Sequence, residues 1–179
     1  GWATTAWFEY GTTSGSYTST SSTQNINGSS DTTVSTDISE LSGGTTYYYR
    51  LIAQNSAGTA YGSEMSFTTS DTAAPTGSIS INSNATYANS TTVTLTLSTS
   101  DDVGVTDYYI STDSTAPSTS GSGWTTITSS TSYTENISYT LSSGDGSKTI
   151  YVWYKDASGN ISSSSDDSII LDATSPTII

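Results

Sequence analysis

Carboxylates are the only abundant ionisable groups in this 179-residue chain, which sets 16 Asp and Glu against three Lys and Arg and has neither His nor Cys. Two stretches, "DDVGV" at 101–105 and "KDASGN" at 155–160, place such oxygens beside glycines. Calcium takes about six to eight hard oxygen ligands at about 2.4 Å, and clustered carboxylates with loop carbonyls supply them. Asp71, Asp101, Asp102 and Asp156 are the candidate ligands and calcium the candidate ion; no other cofactor is required. The competing reading is that these Asp and Asn residues are turn formers, since the chain carries no twelve-residue calcium loop.

Catalysis finds less support. The adjacent pairs Asp101–Asp102 and Asp166–Asp167 are loop or surface neighbours, without the pocket that raises one carboxyl above its partner. Ser and Thr abound, but no His is present to activate one. "LSSGDGSK" at 141–148 lacks the strand-to-helix setting of a phosphate loop and reads as a turn into the strand carrying Ile150 and Val152. An amide crosslink from Lys148 or Lys155 to an Asn would suit a surface protein, but the sequence does not mark one. The chain is read as non-enzymatic.

The net charge of −13 comes from the near absence of bases. Nucleic acid and anionic membrane surfaces are poor partners for such a chain, because both need clustered Lys and Arg. Without Cys there is no disulfide or thiolate site, and without His the usual zinc chemistry is excluded. No apolar run reaches transmembrane length, and the sequence opens on Gly1, so it reads as a mature or excised piece. Five Asn-x-Ser/Thr sequons, at Asn27, Asn84, Asn89, Asn136 and Asn160, are glycosylation candidates in an extracellular or cell-surface setting.

The elements that must position these groups are strands. The 39 Ser and 36 Thr make up about two fifths of the chain, Tyr is frequent and Leu scarce, a composition that suits pleated surfaces. "DTAAPT" at 71–76 and "DATSPT" at 172–177 repeat with a period of 101 residues, near the size of one β-sandwich. Residues 71–171 then form one complete unit, and 172–179 the start of a further repeat or a donated strand. Within that unit "TTVTLTLST" alternates strictly, with Val93, Leu95 and Leu97 on one face and threonines on the other. "SISI", "VTDYYIS", "WTTIT", "ISYTLS", "KTIYVWYK" and "SIILD" complete seven short strands, an immunoglobulin-like sandwich. In that topology the loops at 101–105 and 155–160 share an end with the arriving Asp71, which is why the four aspartates are expected to converge. A cation there would fix the angle between successive domains.

In "LSGGTTYYYRLIAQNSAG" at 41–58, alternation puts Tyr47, Tyr49, Leu51 and Ala53 on one face and Tyr48, Arg50 and Ile52 on the other. Residues 1–70 resemble a fibronectin type III domain. The family's corner motif appears as Leu41, Gly43, Thr45 and Tyr47, with Gly replacing Pro, and Asn55, Gly58, "SFTT" and "AWFEYGTT" also match. The resemblance implies that the Tyr47 hydroxyl bonds backward to the backbone and that Tyr49 is core. It places Tyr48 and Arg50 on the sheet surface, with Arg50 flattened on an aromatic neighbour. It also implies two further strands before Ala3, leaving only a strand around Val34 and Ile38 in the second sheet. Either the chain continues upstream, the preferred alternative, or a neighbouring chain supplies the strands, with "SPTII" a possible donor.

The fold class is therefore all-β, tandem immunoglobulin-like and fibronectin type III β-sandwiches; 71–171 resembles bacterial immunoglobulin-like repeats. The function expected is a structural segment of a microbial surface stalk, adhesin or filament, its partners copies of itself, neighbouring repeats or surface glycans. The alternative is a carbohydrate-binding or spacer module of a secreted polysaccharide-degrading enzyme, with Trp2, Trp7, Trp124 and Trp153 as a stacking row.

Overall fold

A computed structural model describes residues 3–27 and 30–175. The described residues are all-β, with twelve strands in two six-stranded sheets, and no helix among them is long and apolar enough to cross a membrane. The chain divides into two compact units, Gly1–Asp71 and Thr72–Ile179.

The first unit holds β1 (Thr4–Gly11), β2 (Ser19–Thr20), β3 (Gln24–Ile26), β4 (Thr46–Asn55), β5 (Gly58–Tyr61) and β6 (Met65–Thr68). β1 and β4 pair antiparallel at its centre; β2 and β3 share the free edge of β1, and β5 and β6 share that of β4. One face carries a ring cluster, Phe8, Tyr10, Tyr47, Tyr49 and Phe67, at centroid separations of 5.8 to 6.3 Å. The Tyr47 hydroxyl accepts a hydrogen bond from the Ser42 backbone N–H at 3.0 Å, five residues upstream. Tyr47 is buried and Tyr49 half-buried. No strand forms around Val34 and Ile38, contrary to expectation. This Ser/Thr/Asp-rich segment makes side-chain bonds to backbone carbonyls instead, from Thr32 Oγ1 to the Ser30 carbonyl at 3.3 Å and from Gln24 Nε2 of β3 to the Ser35 carbonyl at 2.5 Å. Val34, Ile38 and Leu41 nevertheless lie toward the ring cluster, lining with Phe8, Tyr49 and Phe67 a cleft of about 580 Å³.

On the opposite face Arg50 meets its needs in three ways. Its Nε and Nη2 donate to Glu9 Oε2 at 3.0 and 2.9 Å, and its guanidinium carbon lies 4.5 Å from the Tyr17 ring centroid and 4.4 Å from that of Tyr61. Tyr17 is held in turn by Glu64, whose carboxylate accepts bonds from the Tyr17 hydroxyl (2.6 Å), Ser14 Oγ (2.7 Å) and the Gly15 N–H (2.8 Å). The Tyr17 and Ser14 bonds and the Gly15 amide hold the Glu64 carboxyl below its usual range. A depressed carboxyl contributes stability above its unfolded pKa and loses it as pH falls through the folded value. Comparing urea unfolding of the wild type and Glu64→Gln, we expect a stability gap at neutral pH that closes below the ordinary carboxylate range; a constant gap would mean that the ionised form is not favoured.

The second unit holds β7 (Thr76–Ile81), β8 (Tyr87–Ala88), β9 (Thr92–Ser111), β10 (Thr125–Thr140), β11 (Gly146–Asp156) and β12 (Ser165–Leu171). The first half of β9 pairs with β7 and the second half of β10; its second half pairs with β11 and the first half of β10. β12 continues the sheet beyond β11, and β8 runs parallel to the end of β12. The hydrogen-bonded sheet thus folds over itself near residues 100–105, closing two layers on a core that includes Leu95, Leu97, Ile150, Val152, Tyr154 and Ile169. Bonds from the Tyr154 hydroxyl to the Ser78 carbonyl (2.6 Å) and from the Ile81 N–H to Asp167 Oδ2 (2.7 Å) tie the layers together. Burial pushes the Tyr154 phenol well above its usual range, keeping it a neutral donor. Gly77 makes room for this ring, since a Cβ there would lie 2.3 Å from Tyr154 Cε2.

The expected seven short strands are fewer and longer. "DDVGV" is not a loop between strands but a bend inside β9, and most of "WTTIT" and of "ISYTLS" falls at the two ends of the single strand β10. The register shifts between the Ser130–Val105 and Ser132–Ser100 pairs, and Gly104 takes φ +144°. Such irregularities let a strand change partners without leaving the extended state.

Candidate metal centre

Asp101 sits at the bend of β9. Its Oδ2 accepts bonds from the Val103 and Gly104 N–H groups at 3.0 and 2.7 Å, which shapes the bend. Its Oδ1 is buried and has no hydrogen-bond partner. Asp156 ends β11, opposite Val105 of β9, and is 2% exposed. Its Oδ1 accepts from the Asn160 N–H at 2.8 Å and its Oδ2 from Asn160 Nδ2 at 2.7 Å, so the "DASGN" turn is wrapped around this carboxylate.

One carboxylate oxygen of Asp101 and one of Asp156 lie within 4.8 Å of each other. Two oxygens at that separation can both contact a cation whose bonds are about 2.4 Å long. An orphaned buried Oδ1 is also what a hard cation satisfies, because an unpaired buried acceptor is costly. These two carboxylates could therefore supply some of the hard oxygen ligands that calcium takes. Asp102 does not join them: it is exposed, since the residue next to Asp101 in an extended chain turns its side chain to the other face. Asp71, the last residue of the first unit, is 8% exposed. Lys155 is committed to Asp107 at 3.5 Å and to the Trp124 ring at 4.6 Å.

Among the described residues of the second unit, Trp124 and Trp153 do not form an exposed row. Trp153 is 2% exposed and packs edge-on against Tyr109 at 6.0 Å, with Trp124 on the same tyrosine at 5.6 Å. The Trp124 indole N–H donates to the Ser118 carbonyl at 3.0 Å, so the segment between β9 and β10 is laid across this face. Trp7 is half-buried on β1 in the other unit, and Trp2 lies outside the described residues. Of the sequon asparagines, Asn27, Asn84, Asn89 and Asn136 are exposed, whereas Asn160 has its Nδ2 engaged by Asp156 and is a poor acceptor in the folded chain. Sequence reasoning missed Glu64, which alternation alone does not connect to Tyr17, 47 residues away.

No protein-family model matches the chain, and no curated protein matches it. Among solved structures it is similar to the fibronectin(III)-like modules of Clostridium thermocellum CbhA, at 16% identity and a TM-score of 0.38, over 92% of this chain and 76% of that one. Likeness at that level leaves fold and function to rest on this chain's own residues and distances.

Proposed function

We propose that the chain is a non-enzymatic structural segment of an extracellular or cell-surface protein, part of a microbial stalk, adhesin or filament. The observation that carries this reading is the repeated junction: "DTAAPT" begins where one compact unit passes into the next, and "DATSPT" follows directly on β12. A chain built from sandwich-sized units joined by one recurring motif is the signature of an array. Calcium is proposed at Asp101 and Asp156 of the second unit. The acidic, hydroxyl-rich composition and the exposed sequons support an extracellular setting.

The test is the denatured mass of the native polypeptide from its source. We expect a mass far above 18.6 kDa, with peptides extending past both ends and further copies of the junction. A mass near that value would overturn the array reading in favour of a short subunit that assembles with copies of itself.

A further inference from the structure

The outer face of one layer of the second unit carries a regular grid of hydroxyls. The first half of β9 turns Thr92, Thr94, Thr96, Ser98 and Ser100 outward, alternating with buried Val93, Leu95, Leu97 and Thr99. Register extends each position sideways. Ser98 stands between Ser78 of β7 and Thr134 of β10, and Thr96 between Ser80 and Asn136. Thr76 and Ser132 flank Ser100 in the same way, while Ser138 and Thr140 oppose Thr94 and Thr92. Every one of these positions bears a hydroxyl except Asn136, and none bears a charge or an aromatic ring.

Pleated geometry spaces such a grid at about 4.8 Å from strand to strand and about 6.8 Å between alternate residues along each strand. The grid is held in place. Thr96 Oγ1 donates to Asn136 Oδ1 at 2.7 Å, Ser98 and Thr134 hydroxyls meet at 3.3 Å, and those of Thr76 and Ser100 at 3.4 Å. Directly behind it Val93, Leu95 and Leu97 anchor the backbone in the core.

We propose that this face binds ice. A hydroxyl donates one hydrogen bond and accepts two, close to the capacity of water itself. A fixed two-dimensional set of them can occupy sites in a water lattice, and the oxygen layers of ice repeat on nearly these two lengths. A charged side chain would instead hold its own hydration shell. Preorganisation lowers the ordering cost of adsorption, because the strands are already fixed. A solvated face without a partner needs no such uniformity. A polysaccharide would favour aromatic rings beneath the sugars, and none of these positions carries one; the open depression of about 310 Å³ beside Thr76, Ser98 and Ser132 is lined by hydroxyl residues and Gly77 alone.

The experiment is slow directional freezing of a dilute solution of the full chain, measuring the fraction carried into the ice, together with the shape of single crystals grown in it. We expect incorporation several-fold above that of a non-binding control protein, with faceted crystals. Ser98→Tyr and Thr94→Tyr, folded by their melting curves, are expected to reduce incorporation about tenfold. Thr149→Tyr, on the outer side of β11, is expected to leave it unchanged. Exclusion of the wild type from ice, or equal incorporation of all variants, would overturn the proposal. So would retention on insoluble cellulose or chitin without incorporation into ice, which would assign the grid to a polysaccharide.

Discussion

Replacing Trp153 with alanine is expected to lower the unfolding free energy of the second unit by about 3–5 kcal/mol, the cost of deleting a fully buried large aromatic side chain. Although Trp153 faces away from Ile150, Val152 and Tyr154 along β11, it is 2% exposed and enclosed by Tyr109, Tyr151 and the segment that ends in Trp124. Alanine would leave a void that the paired strands on either side cannot close. Urea denaturation followed by far-ultraviolet circular dichroism measures the change. Trp153→Phe, which keeps most of the buried ring, is expected to retain most of the stability, and half-buried Trp124→Ala to cost less than Trp153→Ala. A cost below about 1 kcal/mol for Trp153→Ala would mean that the ring is not enclosed. The result also bears on the carbohydrate-binding alternative: retention on a glycan that vanishes in Trp153→Ala would report an unfolded domain unless the melting curve shows otherwise.

Alternation was the most informative feature of the sequence, and its limits explain what it left out. "TTVTLTLST" announces both its buried stripe and its hydroxyl face, because period 2 is set by the backbone itself, and Val93, Leu95 and Leu97 are 0–3% exposed. The same rule says less about Trp153. Alternation says that two sets of side chains face opposite ways, not that one of them meets water, and here an intervening segment covers the second face. Continuity was equally hidden. "DDVGV" has the composition of a loop, yet Gly104 and the bonds from Val103 and Gly104 to Asp101 keep β9 extended through it. The reason Arg50 follows three tyrosines was half visible: alternation set it on the face opposite Tyr47 and Tyr49, but its clamp depends on Tyr17, Tyr61, Glu9 and Glu64, which only strand pairing and turns bring together. Of the candidate metal ligands, the Asp101–Asp156 approach follows from the pairing of β9 with β11, whereas the exposure of Asp102 follows from that same strand continuity.

Calcium should then act on the second unit with a magnitude set by mass action. At a concentration about one hundred times its dissociation constant, an ion that binds only the folded state stabilises by about 2.7 kcal/mol. Each 1 kcal/mol moves the midpoint of a domain near 100 residues by about 4–8 °C, so the rise expected between chelator and millimolar calcium is many degrees. Asp101→Asn makes the discriminating variant. Its amide oxygen can still accept from Val103 and Gly104, preserving the bend, while the charge that the ion needs beside Asp156 is gone. In chelator this variant should match or slightly exceed the wild type, because two nearby carboxylates no longer repel, and in calcium it should lose most of the rise. Asp102→Asn, at an exposed position, should respond to calcium as the wild type does. If the wild-type midpoint moves by less than about 1 °C at millimolar calcium, the carboxylates of Asp101 and Asp156 are shaping a bend and a turn and hold no ion.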